Sequence, residues 1–204
     1  FNEKKIIQID HHLAHAASVF YTSKFKHSAI LIVDGIGSDL ETTSFFEGNG
    51  KKIRLVKKYR EFGIGTAYAS VTSHILNFGT GGEGKTMGLA PYGERYKNKI
   101  KFDINLNGIE TDFSNFIKRN PLSDVLNQLN GNLRVDPIKV PHKFCKNKNH
   151  LNKYFSGVAY DIQNASEKTM IHLGKELFKS VKSENLCLAG GVALNSVANK
   201  KLLD

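Results

Sequence analysis

The segment Ser28–Tyr59, SAILIVDGIGSDLETTSFFEGNGKKIRLVKKY, decides the fold. Ala29–Val33 is a continuous apolar run rich in Ile and Val, the pattern of a strand buried on both faces. It ends at Asp34 in DGIGSD, an aspartate followed by Gly35 and Gly37. A second strand is expected from about Thr42 to Glu47 and a third from about Ile53 to Tyr59, joined across Gly48-Asn49-Gly50, a strong hairpin turn signal. A strand, an aspartate-glycine turn and a meander follow one another. A dinucleotide-binding fold instead requires GxGxxG opening a helix directly after the first strand, and here the turn leads into strands.

Downstream, Ala67, Val71, Ile75 and Phe78 recur at helical spacing, and the glycine-dense GTGGEGKTMGLAPYG covers Gly79–Gly93 as an expected loop. Lys97–Lys153 is polar and weakly patterned and reads as an insertion or cap. An amphipathic helix is expected from Tyr154 to Lys182, with Val158, Ile162, Ala165 and Thr169 on a face continuing through His172, Glu176 and Ser180, and Leu173 and Leu177 beside it. Asn185–Ala189 reads as a short strand entering GGVALNSVANK, which starts another helix. That order of elements is the plan of an α/β, actin-like nucleotide-binding fold, in which two glycine turns hold a nucleotide. The opening KKIIQIDHH reads as a strand entered midway, and NKKLLD as a helix cut short, so the chain is expected to be a fragment.

The other strong signal is DHHLAHAASVFY, Asp10–Tyr21. His11 and His15 are one helical turn apart and project from one face, whereas His12 points about 100° away. Asp34, ending a buried strand, would complete a mixed nitrogen and oxygen site suited to iron, zinc or manganese. HxxxH alone is equally explained by surface or core histidines, and Asp10 could cap the helix. Leu13 and Ala14 replace the glutamate of HExxH, which disfavours a metalloprotease.

Gly81, Gly82, Gly84 and Gly88 surround Glu83 and Lys85. Such a segment can offer backbone N–H groups to an anion, with Lys85 neutralising phosphate and Glu83 accepting from ribose hydroxyls. Its spacing is not that of the Walker loop. Gly190 and Gly191 bring backbone close to a flat ligand such as adenine, and Asn195 could hydrogen-bond substrate or backbone.

The chain has 204 residues, is 40% apolar and carries a formal charge of +10. Its lysines are scattered, so the charge reads as a solvated basic surface and nucleic acid is not the expected partner. The densest basic stretch, Lys139–Tyr154, reads as a surface loop. Cys145 and Cys187 lack CxxC spacing and read as free thiols. No run of 18 apolar residues and no signal-peptide pattern occurs, so a cytoplasmic protein with no membrane partner is expected.

HHLAHAASVFYTSKF, LIVDGIGSDLETT, GGEGKTMGLAPYG and LCLAGGVALNSVAN, in that order, resemble the carbamoyltransferases of the nodulation-factor and antibiotic O-carbamoyltransferase type. The resemblance runs from about Ile9 to Asn199 and implies part of that family's larger domain, which is similar to the enzyme that makes threonylcarbamoyladenosine in tRNA and is actin-like. It implies that carbamoyl-adenylate, made from ATP and carbamoyl phosphate in a C-terminal domain, gives its carbamoyl group to a hydroxyl of a sugar-containing natural product. It also implies a divalent ion, Fe2+ before Zn2+ or Mn2+, on His11, His15 and Asp34, with a further aspartate beyond Asp204. Gly35, Gly37, Glu83, Gly84, Lys85, Gly190, Gly191 and Asn195 are then assigned to the nucleotide, Lys85 to its phosphate and His12 to proton transfer. The isolated chain is expected to be inactive. Competing readings are a tRNA threonylcarbamoyl transferase, a non-catalytic nucleotide- or nucleic-acid-binding module, and a sugar kinase or ATPase.

Overall fold

A computed structural model of the chain describes residues 6–60, 63–100, 102–105, 108–111 and 148–204. In chain order the elements are α1 (His11–Thr22), β1 (His27–Val33), β2 (Thr43–Asn49), β3 (Lys52–Tyr59), α2 (Ile64–Ser70), a π turn (Val71–Ile75) and α3 (Glu83–Leu89). A 3₁₀ segment (Ala90–Tyr96), β4 (Phe102–Asn105), β5 (Gly108–Thr111), α4 (Lys148–Ser180), β6 (Leu186–Ala189), a 3₁₀ turn (Gly191–Leu194) and α5 (Ser196–Leu203) follow. Two compact units result, the first from residues 1–66, 106–108 and 167–204, the second from 67–105 and 109–166.

The first unit is built on a mixed four-stranded sheet of order β3-β2-β1-β6, antiparallel except for the parallel pair β1 and β6. Ala29–Val33 is fully buried, as an apolar run without alternation requires. Helix α1 lies against one face of the sheet. Its buried residues His12, Ala16 and Phe20 are spaced i, i+4, i+8, so they form a single stripe. Ala16 and Phe20 join Ile30, Ile32, Phe46, Cys187 and Ala189 in one core cluster. Burying a side chain such as Phe20 contributes roughly 1.5–3 kcal/mol, which is what holds α1 to the sheet. Asn49 pairs with Lys52 across a two-residue turn in which Gly50 takes φ +59°, one of the left-handed conformations a tight hairpin needs. β3 presents Lys52, Arg54 and Lys57 along the sheet edge, where charge discourages further strand pairing.

In the second unit the buried hydroxyls of Thr72 and Thr86 meet at 2.8 Å and tie the π turn to α3. Asp161, on α4, accepts the backbone N–H groups of Asn98, Lys99 and Ile100 at 2.8, 2.5 and 3.0 Å, fixing the chain where the 3₁₀ segment ends. β4 and β5 form a separate two-stranded sheet.

Several expectations change. Residues 6–10 are not in a strand, and Ile6, Ile7 and Ile9 are exposed; apolar alternation requires a buried face to become a strand, and these residues have none. Gly79–Gly93 is not one loop, because Glu83–Leu89 is helical and Ala90–Tyr96 continues it as 3₁₀. Its glycines mislead because most of the intervening residues are acceptable helix formers. α4 begins at Lys148, so the end of the basic stretch Lys139–Tyr154 is helix; residues 139–147, Cys145 among them, lie outside the described residues. The buried stripe of α4 passes from Thr169 to Leu173 and Leu177 rather than to Glu176 and Ser180. Cys187 is a buried free thiol in β6, as expected. Among the described residues no helix is long and apolar enough to cross a membrane.

Candidate functional site

Asp34 follows directly on β1, and the chain then makes a loop back to β2 closed by the Asp34 N–H to the Thr42 carbonyl at 2.9 Å. The two carboxylate oxygens of Asp34 divide their partners. Oδ1 accepts the backbone N–H groups of Gly35 at 2.8 Å and Gly191 at 3.1 Å. Oδ2 is left facing α1, with His11 Nε2 at 3.0 Å and His15 Nε2 at 3.2 Å. Burial opposes ionisation of Asp34, but the hydrogen bond with His11 and the two backbone amides outweigh it and hold the carboxyl below its ordinary range.

Helix α1 supplies the geometry. Asp10 is its N-cap, Oδ1 accepting the Leu13 N–H at 2.8 Å, so the helix begins at His11 and places His11 and His15 on adjacent turns of one face. Their rings lie 4.8 Å apart, edge to face. The side chains of His11, His15 and Asp34 are 41%, 34% and 17% exposed, so among the described residues one side of the cluster is open. One ligand atom from each of the three residues lies within 4.8 Å of the others.

His12 takes the opposite face. It is fully buried, its Nδ1 pairs with Ser44 Oγ at 2.7 Å, and its Nε2 has no hydrogen-bond partner among the described residues. Burial lowers its pKa from the ordinary value of 6.5, with Glu41 pulling the other way. The His12 ring is enclosed against Ser44, with the ring centre of His11 5.8 Å away.

The second glycine pair meets the first at Asp34. Gly190 has φ +94°, and a Cβ there would land on the carbonyl oxygen of Val33; a Cβ at Gly191 would stand 3.0 Å from Asp34 Oδ1. The pair thus lets the chain after β6 pass close under the end of β1. Asn195 caps α5 by accepting the Ala198 N–H at 3.0 Å. Gly35 accepts a hydrogen bond from Thr66 through its carbonyl, at 2.6 Å, and Gly37 packs directly on the Glu41 carboxylate.

In the second unit, Glu83, Gly84 and Lys85 form the first turn of α3 behind the N-cap Gly82. Gly84 and Lys85 are exposed, and Lys85 Nζ stands 6.0 Å from the ring centre of Phe78. Helix geometry, and not an open loop, therefore presents these residues.

Three residues beside the histidine cluster carried no sequence signal: Ser44, Glu41 and Lys58. Glu41 is fully buried, its Oε2 accepting the Asp39 N–H at 2.7 Å. Lys58 binds Asp10 Oδ2 at 2.8 Å. Each sits in a strand or turn where a polar residue is ordinary, and only the packing of α1 over β2 and β3 makes it special.

Comparison with known proteins identifies the family. The carbamoyltransferase N-terminus family matches residues 1–204. The chain is 34% identical over 200 residues to the uncharacterized protein sll1178 of Synechocystis, covering 95% of this chain and 31% of that protein. It is 28% identical to nodulation protein NolNO of Sinorhizobium fredii over 98% of this chain and 27% of the relative. For nodulation protein NolO of Bradyrhizobium diazoefficiens the figures are 29%, 96% and 33%. The chain thus spans about a third or less of the length of these relatives. It belongs to the carbamoyltransferase family, of which it represents the N-terminal part.

Proposed function

We propose that this chain supplies the metal-binding part of an O-carbamoyltransferase site of actin-like fold, which moves a carbamoyl group from carbamoyl-adenylate to a hydroxyl of a sugar-containing acceptor. One observation carries the reading: His11 Nε2 and His15 Nε2 converge on the same oxygen, Asp34 Oδ2. Ligands about 2.0–2.2 Å from one ion lie roughly 3 Å from each other, so the two His–Asp separations fit a shared divalent cation, while the three ligand atoms, within 4.8 Å of one another, would draw together around it. The donor set, two imidazoles and one carboxylate, suits Fe2+ and also Zn2+ or Mn2+. A divalent ion bound there supplies Lewis acidity, which favours a polarised carbamoyl carbonyl or a more acidic acceptor hydroxyl.

The remaining work falls to the chain. The Gly35 and Gly191 amides hold Oδ1 of Asp34 so that Oδ2 stays aimed at the histidines, the role that outer partners of a ligating carboxylate play. Gly35, Gly37, Gly190, Gly191 and Asn195 lie beside Asp34 or in the segment after β6, and we assign them to the nucleotide together with Glu83 and Gly84. Lys85, exposed on α3, neutralises the adenylate phosphate. The acceptor oxygen attacks the carbamoyl carbon, the bond from that carbon to the phosphate oxygen breaks with its electron pair passing to AMP, and the hydroxyl proton passes to solvent as AMP departs. His12 we read as fixing α1 to the sheet through Ser44, not as a proton carrier.

The test supplies carbamoyl-adenylate to the full-length protein and to His11→Ala, His15→Ala and Asp34→Asn variants, following bound metal and AMP release. Each variant is expected to lose metal affinity by about a hundredfold or more, with transfer lost in parallel. Unchanged metal binding in all three would sink the assignment.

A further inference from the structure

We propose that Lys58 is a positioning residue for the metal centre: it ties the N-cap of α1 to the loop after Asp34, and so sets the spacing between the two imidazoles and the carboxylate. The inference rests on the reading that His11, His15 and Asp34 hold an ion.

Lys58 lies near the end of β3, with its side chain 13% exposed. Its Nζ stands 2.8 Å from Asp10 Oδ2 and 3.7 Å from Asp39 Oδ2. Asp10 uses its other oxygen to cap α1, so one carboxylate fixes both the helix start and the lysine. The second arm reaches Asp34 through the loop. Arg60 grips the Asp39 carboxylate and donates from Nε to the Asp39 carbonyl at 3.1 Å. The Asp39 N–H binds the buried Glu41, whose backbone carbonyl accepts the Gly37 N–H at 2.7 Å, and Thr42 closes the loop on the Asp34 N–H at 2.9 Å. Polar contacts and the Glu41–Thr42 peptide link therefore connect the first turn of α1 to the backbone of Asp34, with the 3.7 Å Lys58–Asp39 ion pair as the longest step.

An exposed ion pair is worth little, and that is the reading to beat. Lys58 differs by being mostly covered and by joining two carboxylates on separate segments, each of which positions part of the site. The sign of the effect separates positioning from simple charge. Neutralising Lys58 leaves the carboxylates of Asp10 and Asp39 without their shared cation, so charge alone makes a nearby divalent cation bind more tightly. Loss of positioning makes it bind more weakly, as removal of supporting contacts around metal ligands does.

The experiment titrates the full-length, metal-free protein with cobalt(II), followed by its visible absorption, for wild type, His15→Ala, Lys58→Met, Lys58→Gln and Lys58→Arg. Lys58→Met is expected to weaken cobalt binding about tenfold. Lys58→Gln, which keeps a donor for Asp10 and guards against loss of fold, weakens it less. Lys58→Arg restores affinity, because a guanidinium can span two carboxylates. If Lys58→Met and Lys58→Gln bind cobalt as tightly as wild type or more tightly, while His15→Ala loses it, the positioning role is overturned and the metal site stands. If wild type and His15→Ala bind equally weakly, the metal reading fails and this inference with it.

Discussion

The two glycine-rich segments of this chain look alike in sequence and differ in what surrounds them. Around Asp34 three of the four glycines are spoken for by the protein itself: Gly190 lies against the Val33 carbonyl, Gly191 against Asp34, and Gly37 against the Glu41 carboxylate, while a Cβ at Gly35 would meet nothing within 4 Å among the described residues. In α3 a Cβ at Gly84 or Gly88 would meet nothing within 4 Å among the described residues. One set is demanded by close backbone approach, and the other leaves space. Glycine at Gly37, Gly190 and Gly191 is therefore a folding requirement, whereas at Gly84 and Gly88 the described residues leave a side chain room.

Gly190→Ala should break the closed region hardest. It puts a side chain into a backbone held at φ +94° and against a carbonyl oxygen, each costing about 1–3 kcal/mol, so a loss near 4 kcal/mol is expected. Urea unfolding followed by tryptophan-free probes such as far-ultraviolet circular dichroism would read it. Metal affinity should fall as well, because the Gly191 amide is carried away from Asp34. A variant as stable as wild type would mean that the turn after β6 relaxes freely, and the contrast between the two segments would lose its physical basis.

Gly84→Ala probes the open side. Gly84 is in the first turn of α3 with no obstructed Cβ, so alanine is expected to leave stability unchanged or raise it by up to about 1 kcal/mol through helix propensity. Carbamoyl-adenylate affinity, measured by calorimetry on the full-length protein, should drop about tenfold, or roughly 1.4 kcal/mol, if the phosphate approaches that backbone. Undiminished affinity would remove Gly84 from the nucleotide site.

How much of this could be read from the chain follows from the range of each interaction. The run Ala29–Val33, the glycine signal before β3 and the HxxxH spacing are local, and β1 and the pairing of His11 with His15 appear where periodicity puts them, while the β2–β3 hairpin turns at Gly50-Lys51, with the expected turn residues Gly48 and Asn49 paired inside β2. Asp34 was legible for a related reason: it ends a buried strand. What the sequence hid is long-range. Gly191 reaches Asp34 across 157 positions, and Lys58 reaches Asp10 across 48. Neither contact leaves a pattern in its own segment, since KKY at the end of a strand looks like any charged edge. Glycine composition misled at Glu83–Leu89, where the buried Thr72–Thr86 contact favours helix over loop.

The same division between closed and open runs through α1, and His12 gives the smallest and cleanest measure of it. His11 and His15 face outward, while His12 is enclosed. Burial disfavours its imidazolium, and the opposing pull of Glu41 is weaker, so its pKa lies below 6.5. The sign of the pH effect follows. Above 6.5 the ring is neutral in both folded and unfolded chains; as pH falls through 6.5 the unfolded chain takes up a proton that the folded one refuses, and stability declines. Unfolding of the metal-free protein at pH 7.5 and 5.5 should show this loss, and His12→Gln should reduce it. Nuclear magnetic resonance of the ring protons should place the His12 midpoint below 6.5. A midpoint at or above that value would mean that the Glu41 carboxylate outweighs burial, that the inner face of α1 is charged, and that the helix is held to its sheet by an ion pair rather than by a closed apolar contact.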